Sequence, residues 1–579
     1  MDKSKYKLYV ACVWAIFLLS LWLRQAFPIF AIGPAGYDDL LFVRLAASLG
    51  AGQWLGPYDN LTMAKGAAYS FFLLANHVTG LPLKITEQIV YLLASLYFST
   101  TIGTLFRSRA ATLFCFAILA FNPVFWNPDA GGRVVREGLY LSLSLLLITT
   151  SIRVFVLKFS ASLKEDLRAK LPVLIGFGLA GGVYWLTREE GVWLAPSVFL
   201  MAASWFVFNF RPGSSGETKT HYGNMLIFLA IPVIAFSLVV GAVNTVNYYN
   251  YGRFQNNEFR SADFQAAYGA LSRIEHVQWA PYVVFPQDAR EKAYSVSASA
   301  RELKPFFEGE GGERWRKAGC EQTGKTPCPE ILAGWFMWAL RDAVAAAGYY
   351  RNASEARAFY WRLEREVNAA CERGDIPCGS KNNSLVPPWH TEYFAETLTA
   401  SQMVFSNLIT LGNTPVRIEP SLGSEQQLAL FKLVTNGPLA SREEACSGDV
   451  TDEGIAVRDS QPGNCALRDR IRLNLAEKIA RFQGGLTAVA VPGAIFIWAV
   501  LLVVSVVRRR WHPGHIVAAA LLAAIAARVI LLGFLEATSI PFNMLYLSPV
   551  VPMALVLAPC VIFLGIALIK DKEYDSRMQ

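Results

Sequence analysis

Long apolar blocks recur along the 579-residue chain and alternate with short charged loops. Each block has about 20 residues with few or no charges, which is enough for a helix to cross the hydrocarbon core of a bilayer. Hydropathy and charge together predict ten spans, near residues 8–30, 85–106, 110–127, 136–158, 171–187, 191–209, 223–246, 486–507, 514–536 and 542–569. The pattern therefore predicts an α-helical polytopic membrane protein.

Composition agrees with that class, since 53% of the residues are hydrophobic and 13% are aromatic. The net charge of +8 does not indicate a nucleic-acid partner, because the basic residues cluster at the ends of the apolar blocks. The sequence contains no Gly-rich phosphate loop, zinc-finger spacing or basic-aromatic strip. The first block follows the basic start "MDKSKYK" and lacks a clear cleavage site, which favours a retained anchor over a signal peptide.

The distribution of Lys and Arg predicts the orientation of the spans. Basic loops expected in the cytoplasm are "RSRA" (Arg107, Arg109), "KFSASLKEDLRAKLP" (Lys158, Lys164, Arg168, Lys170), "FRPGSSGETKTH", "RRRWHPGH" and the tail. The acidic loops and one large insertion then lie outside. The apolar stretch 67–82 is only about 16 residues long, and counting it as a span would invert several of these loops. It is predicted to be re-entrant or interfacial.

Four regions follow from this topology. They are an N-terminal transmembrane module at 1–246, its first external loop at 31–84, an extracytoplasmic domain at 247–485, and C-terminal spans with a tail at 486–579. Helical periodicity in "PEILAGWFMWALRDAVAAAG" and "SEARAFYWRLEREVNAACERG" predicts that the external domain is mainly helical.

Six of the nine cysteines fall in the external domain. Their order suggests the local disulfides 320–328, 371–378 and 446–465, although six cysteines allow 15 pairings and six unpaired thiols are the alternative. Zinc is disfavoured because no C-x-x-C pair is present. Disulfides persist in oxidising compartments. Together with the absence of eukaryotic signals, they favour a bacterial inner-membrane protein with a periplasmic domain.

The first external loop carries two adjacent carboxylates, Asp38 and Asp39, in "GPAGYDDLLFVRLAASLG". The apolar positions after them mark one face of a short surface helix that Gly50 ends. Asp39 as the helix N-cap is the structural alternative to a chemical role. One cap needs one carboxylate, so Asp38 remains unexplained. A carboxylate at the edge of the hydrocarbon is partly desolvated, which favours general-base chemistry.

Several charged residues are predicted to share the outer side with Asp38. Lys65, Arg133 and Arg136 are candidates for holding an anion, most simply a phosphate. Candidates for orienting an acceptor or a sugar are Asp129, Glu137, Arg188 and Glu189, followed by Glu190. For each residue alone, solvation at a helix end is the simpler interpretation. Their gathering at the outer ends of consecutive spans favours a functional site.

The loop "YDDLLFVRLAASLGAGQW…MAKGAAY" resembles the first external loop of GT-C membrane glycosyltransferases, particularly protein O-mannosyltransferases and lipid A aminoarabinose transferases. In this resemblance Asp38 matches the leading catalytic acid, Asp39 the second acid and Lys65 the lysine that contacts the donor phosphate. "REGLYLSLSLLL" and "LTREEGVWLAP" are weaker matches, which include Glu137, Arg188 and Glu189. The resemblance covers about the first 250 residues.

The sequence also departs from the family's pattern. Ala64 stands where the family has Glu before the lysine, and Gly66 and Ala67 replace prolines. The Trp-Trp-Asp signature of oligosaccharyltransferases is absent, so transfer of whole glycans to asparagine is not expected.

The resemblance implies transfer of a sugar from a polyprenyl-phosphate donor to an extracytoplasmic glycan, glycolipid or protein acceptor, with inversion and with Asp38 as the general base. It implies no certain cofactor, and a divalent metal remains open because carboxylates cluster. A transporter or flippase of lipid-linked sugars is the alternative. Such a protein would carry charges deep within spans, whereas only Arg24 and Arg528 do so here. A scaffold would explain the external domain but not the acid-lysine loop.

Overall fold

The structure is a computed structural model that describes residues 3–157, 163–188, 190–209, 218–277, 282–323, 330–386, 391–414, 416–440 and 467–576. It is almost entirely helical. Within these ranges there is no β-strand, and only isolated β-bridges occur, such as Ile29 with Leu439 and Ile32 with Leu422.

The described part of the N-terminal module contains nine α-helices. They are α1 (Lys3–Arg24), α2 (Asp39–Gly50), α3 (Ala68–Thr79), α4 (Leu83–Leu105), α5 (Arg109–Ala120), α6 (Glu137–Phe155), α7 (Leu163–Thr187), α8 (Ala195–Asn209) and α9 (Thr218–Tyr251). Short 3-10 turns at Pro123–Trp126 and Gly191–Leu194 and a π turn at Pro128–Gly132 link some of them.

The described residues of the external domain form eight α-helices, which confirms that this domain is mainly helical. They are α10 (Ala262–Ser272), α11 (Gln287–Val296), α12 (Ala298–Phe307), α13 (Glu310–Thr323), α14 (Ala333–Ala346), α15 (Ala353–Arg373), α16 (Tyr393–Ile409) and α17 (Glu425–Thr435). Cys371 and Cys378 form the predicted disulfide. Cys320 is also disulfide-bonded, whereas Cys328, Cys446 and Cys465 lie outside the described residues.

The chain ends in α18 (Leu467–Val507), α19 (Gly514–Thr538), α20 (Met544–Leu547) and α21 (Val551–Ser576). Helix α18 begins well before the span predicted at 486–507. Its first turns are charged, and buried Arg472 donates to Asp469 (3.0 Å) and to Gln25 (3.1 Å). These contacts tie the extended part of α18 to the end of α1, so the helix continues beyond its apolar segment.

Ten helical segments in the described chain are long and apolar enough to cross a membrane, which agrees with the ten predicted spans. Helix α3 is not among them, since it has only 12 residues. The span that begins at Glu137 is the most enclosed, at 83% buried, whereas the span in α9 is only 11% buried. Helix α6 therefore lies at the centre of the bundle, and a side chain at its outer end is held on a rigid base.

The helix predicted after Asp39 is present as α2, with Leu41, Phe42, Leu45 and Ala46 buried. Arg44 on its opposite face remains exposed. Asp39 is the first residue of the helix rather than its N-cap. Asp38 occupies the cap position, and no side-chain capping hydrogen bond forms there. The capping interpretation of Asp39 is therefore wrong.

Candidate active site

A cavity of about 540 Å³ lies where the outer ends of the N-terminal helices meet the external domain and the C-terminal spans. One part of its wall is ionic and includes Asp38, Lys65, Arg133, Arg136, Glu137, Arg188 and Glu190. Another part is aromatic and includes Tyr37, Phe259, Tyr268, Trp315, Trp335 and Trp338. Residues of three chain regions that are distant in sequence thus line one chamber.

Asp38 and Lys65 form an ion pair on this wall. The Lys65 side chain is only 6% exposed, whereas that of Asp38 is 55% exposed, and the accessible part of the carboxylate faces the cavity. Burial alone would raise the pKa of Asp38, but the positive charges of Lys65 and Arg133 outweigh it and hold that pKa well below its usual range. The carboxylate is therefore ionised and accessible to a molecule in the cavity.

The position of Lys65 depends on a close approach between two backbone segments. A Cβ atom at Gly66 would lie 2.0 Å from the carbonyl oxygen of Leu186, at the end of α7. Only glycine fits there. The ammonium group of Lys65 then lies 5.0 Å from the ring centre of Phe42 and 5.5 Å from that of Trp338, which restricts it to the edge of the cavity.

Asp39 lies behind the cavity wall rather than on it. Its side chain is fully buried, and Arg133 donates to it from Nη2 (2.6 Å) and from Nε (3.2 Å). Burial alone would lower the pKa of Arg133, but the carboxylates of Asp39 and Asp38 outweigh it and raise that pKa. The second acid thus fixes a permanently charged guanidinium at the cavity, while Asp38 remains available.

A second ionic group surrounds the outer end of α6. Glu137 pairs with Arg188, and Glu190 lies 3.5 Å from Arg188 and 3.2 Å from Arg528. Burial alone would raise the pKa of Glu190, but Arg188 and Arg528 lower it to about 2. Ion pairs therefore join three chain segments, which are α6, the α7–α8 connection and α19.

The structure places the remaining predicted residues differently. Arg136 lines the cavity. Asp129 is exposed on the π turn and does not line the cavity. Glu189 lies outside the described residues, and its neighbour Glu190 is the acid found at the cavity. Among the described residues, no three His, Cys, Asp or Glu side chains cluster as a metal site would require.

Helix α14 of the external domain supplies cavity residues that sequence reasoning missed. Asp342 accepts three hydrogen bonds, from Tyr37 (2.5 Å), Asn60 (2.6 Å) and Trp315 (3.0 Å). Tyr37 directly precedes Asp38, so the external domain holds the backbone on which the carboxylate is mounted. The available signal was the pattern "GWFMWALRD", with two tryptophans three residues apart on one helix face.

The C-terminal spans close the cavity. Buried Arg528 donates from Nε to the Tyr546 carbonyl oxygen (2.9 Å). Arg188 lies 5.2 Å from the centre of the Tyr546 ring. The sequence showed Arg528 only as a charge within a span, without a partner.

Comparisons with known proteins complete this description. No protein-family model matches the chain, and a search of curated proteins returns no match. The chain is similar to a crystal structure of ArnT from Cupriavidus metallidurans bound to undecaprenyl phosphate, with 12% identity and a TM-score of 0.31 over 96% of this chain and 78% of that one. For apo ArnT from the same organism the identity is 12% and the TM-score 0.28, over 94% and 77% of the two chains. Similarity at this level assigns neither family nor activity, so the function must be argued from the cavity itself.

Proposed function

We propose that the protein is a membrane glycosyltransferase of GT-C type, which transfers a sugar from a polyprenyl-phosphate donor to an extracytoplasmic acceptor. The observation that carries this proposal is the accessible, ionised Asp38 paired with buried Lys65 on the wall of a cavity. A base and a cation side by side are what a transfer between a hydroxyl group and a phosphate ester requires. The loop containing both residues also resembles that of GT-C enzymes.

The phosphate of the donor is proposed to bind at Lys65, with Arg133 and Arg136 beside it. In the reaction, the acceptor hydroxyl oxygen attacks the anomeric carbon, and the bond from that carbon to the phosphate oxygen breaks. The electron pair leaves with the polyprenyl phosphate, whose developing charge the cations stabilise. The hydroxyl proton passes to Asp38. A single displacement of this kind inverts the anomeric configuration.

Binding of the phosphate also prepares the base. In the unliganded cavity the Lys65 ammonium pairs with Asp38 and makes it a weak base. A phosphate that shares this ammonium would withdraw part of its charge from Asp38 and raise the pKa of the carboxyl. Asp38 thus becomes basic only when a donor is bound. This coupling disfavours unproductive proton uptake in the empty enzyme.

The other ionic residues have supporting roles in this proposal. Asp39 positions Arg133 through their buried pair. Glu137, Arg188 and Glu190 form the far wall, where carboxylate and guanidinium groups can orient sugar hydroxyls. Glu189 is proposed to act in the same region.

The site is proposed to lie on the periplasmic side of a bacterial inner membrane. Basic loops at the opposite ends of the spans favour this orientation. The polyprenyl chain of the donor would remain in the bilayer while its phosphate reaches the cavity at the outer ends of the helices. An envelope glycan or glycolipid is the proposed acceptor.

The proposal is tested with purified protein in liposomes that contain radiolabelled polyprenyl-phosphate sugars. The expected result is release of free polyprenyl phosphate together with transfer of label to added envelope glycans, and Lys65→Ala should lose most of this activity. Lys381→Ala is the matched control, since Lys381 is an exposed lysine of the external domain that does not line the cavity. If intact lipid-linked sugar crosses the bilayer and no polyprenyl phosphate is released, the protein is a transporter and not a transferase.

A further inference from the structure

The cavity wall contains an indole ring that also packs against the core of the external domain. Trp335 lies on α14, is partly exposed and lines the cavity. Its nearest aromatic counterpart on the helix, Trp338, is engaged by Tyr37 at 5.3 Å, by Phe259 at 4.7 Å and by Lys65 at 5.5 Å. Within the described parts of the chain, the Trp335 ring has no ring contact and no hydrogen bond. Part of this apolar ring is therefore accessible from the chamber.

Contacts of Gly334 fix the start of α14, which carries Trp335. A Cβ atom at Gly334 would lie 2.6 Å from Ile540, and the Gly334 amide donates to the Ser539 carbonyl oxygen (3.1 Å). The start of α14 thus rests on the segment between α19 and α20. The start of α14, which carries Trp335, cannot shift without breaking this contact between the external domain and the C-terminal spans.

Trp335 also lies close to the proposed base. It precedes Trp338 by three residues, so the two side chains are neighbours on one helix face, with about 5–6 Å between their Cβ atoms. Trp338 contacts the ammonium group that pairs with Asp38. The Trp335 ring consequently lies roughly one side-chain spacing from the Lys65–Asp38 pair. This distance is comparable to the width of a sugar ring.

We infer that Trp335 is the platform of an acceptor subsite that takes a pyranose ring, so that the acceptor is a carbohydrate; this inference rests on the proposed function. The C–H face of a pyranose is apolar and packs flat on the electron-rich face of an indole, while its hydroxyl groups project from the edge. One of those hydroxyl groups would then point toward Asp38. Ser539 and Asn543 on the adjoining wall provide polar groups for the others.

A serine or threonine of a polypeptide fits this subsite less well. Pairing with an exposed strand edge is one way in which an extended peptide is held, and the described residues contain no strand that would offer it. A short hydroxylated side chain also has no flat surface to cover an indole. The ionic and aromatic walls together match a molecule that is apolar on its face and polar at its rim.

Binding of simple sugars tests this inference independently of transfer. Purified protein in detergent is titrated with methyl glycosides of glucose, mannose, galactose and N-acetylglucosamine, and with N-acetylserine methylamide, and binding is followed by saturation-transfer NMR. At least one glycoside should bind, and the serine derivative should not. Trp335→Leu should weaken the glycoside about tenfold, because an aliphatic group lacks the flat face, whereas Trp335→Tyr should retain most of the binding.

Trp361→Leu is the matched control, since Trp361 is a partly buried tryptophan of α15 that does not line the cavity. If Trp335→Leu does not fold, Trp335→Met supplies the same comparison. Unchanged glycoside binding in the aliphatic variants, no glycoside binding in any protein, or equal binding of the serine derivative would each overturn the inference.

Asp38→Asn separates this inference from the proposed function. It should keep glycoside binding and lose transfer. Full transfer by Asp38→Asn alongside Trp335-dependent glycoside binding would overturn the role of Asp38 as the base, and no transfer by the wild type would overturn the proposed function; either result would leave the subsite standing. Loss of transfer in Asp38→Asn, together with glycoside binding that Trp335→Leu leaves unchanged, would overturn the subsite and leave the proposed function standing. Glycolipid and soluble oligosaccharide present the same ring, and comparing transfer to each identifies which one the enzyme uses.

Discussion

At the scale of single residues, buried charge on the cavity wall is compensated pair by pair. Lys65 neutralises Asp38, Arg133 neutralises Asp39, and Arg188 neutralises Glu137. Removing one member of the Arg133–Asp39 or Arg188–Glu137 pair leaves an unpaired buried charge, which costs several kcal/mol. Asp38 differs from the other acids because it is accessible. Asp38 can therefore replace its ion-pair partner with a ligand, and its own exposure to the cavity need not change.

Lys65→Met should change the pH dependence of donor turnover. In the wild type the lowered pKa keeps Asp38 ionised at every pH above its usual value of about 4, so kcat/KM should not fall between pH 7 and pH 5. Without the ammonium group, burial dominates and the pKa rises, so activity should be lost as the pH falls through that range. The acidic limb of the kcat/KM profile should shift upward by about one pH unit or more. An identical limb in both proteins would mean that the Lys65–Asp38 pair does not govern the base.

At the scale of elements, the cavity depends on where helix ends meet. The α7 terminus carries Leu186 and Arg188, and the loop with Lys65 rests directly on it at Gly66. Asn257 also donates to the Ala64 carbonyl oxygen (2.9 Å), and the Glu258 amide donates to that of Met63 (2.8 Å). Gly66 thus allows close backbone packing at this point.

Gly66→Ala should reduce donor turnover by at least about tenfold, because its Cβ would meet the Leu186 carbonyl oxygen and push the lysine loop away. Gly36→Ala is the matched control, since Gly36 lies in the same external loop with nothing within 4 Å of its Cβ position. Initial rates and thermal unfolding midpoints should be measured for both. Equal rates in the two variants would show that this backbone contact does not position Lys65.

The sequence was sufficient for features that depend on local pattern. Apolar length predicted the spans, helical spacing predicted α2 and α15, and the acid-lysine loop singled out Asp38 and Lys65, which both line the cavity. The burial of Asp39 could not be predicted, because it depends on Arg133 in a different loop. Trp335 reaches the cavity, and Asp342 reaches Tyr37 beside Asp38, only through the docking of a domain about 300 residues further along the chain.

At the scale of the whole molecule, the external domain functions as a clamp on the first external loop. Arg341 is fully buried, donates to the Asn60 carbonyl oxygen (2.7 Å) and pairs with Glu258 (2.9 Å). Glu258 in turn accepts from Tyr58 (2.7 Å). Together with the Asp342 contacts, this network shows that residues of both the membrane module and the external domain hold the first external loop at the site.

Arg341→Met should release that clamp. It leaves Glu258 buried without its cation, which we expect to cost about 3 kcal/mol and to increase amide hydrogen exchange across residues 58–66. Arg351→Met is the matched control, because the Arg351–Glu355 pair of the same domain is largely exposed and contributes less than about 1 kcal/mol. Exchange that is equally slow in both variants would contradict the clamp.

The central claim is that Asp38 is the base of a sugar transfer, and Asp38→Asn tests it most directly. Asn keeps the shape of the side chain but cannot accept the proton. With a polyprenyl-phosphate sugar as donor, release of free carrier phosphate should fall at least about 100-fold in a folded Asp38→Asn protein. Asp59→Asn, a change in the same loop but outside the cavity, should remain active. An Asp38→Asn protein as active as the wild type would show that Asp38 is only a charge at the end of a helix.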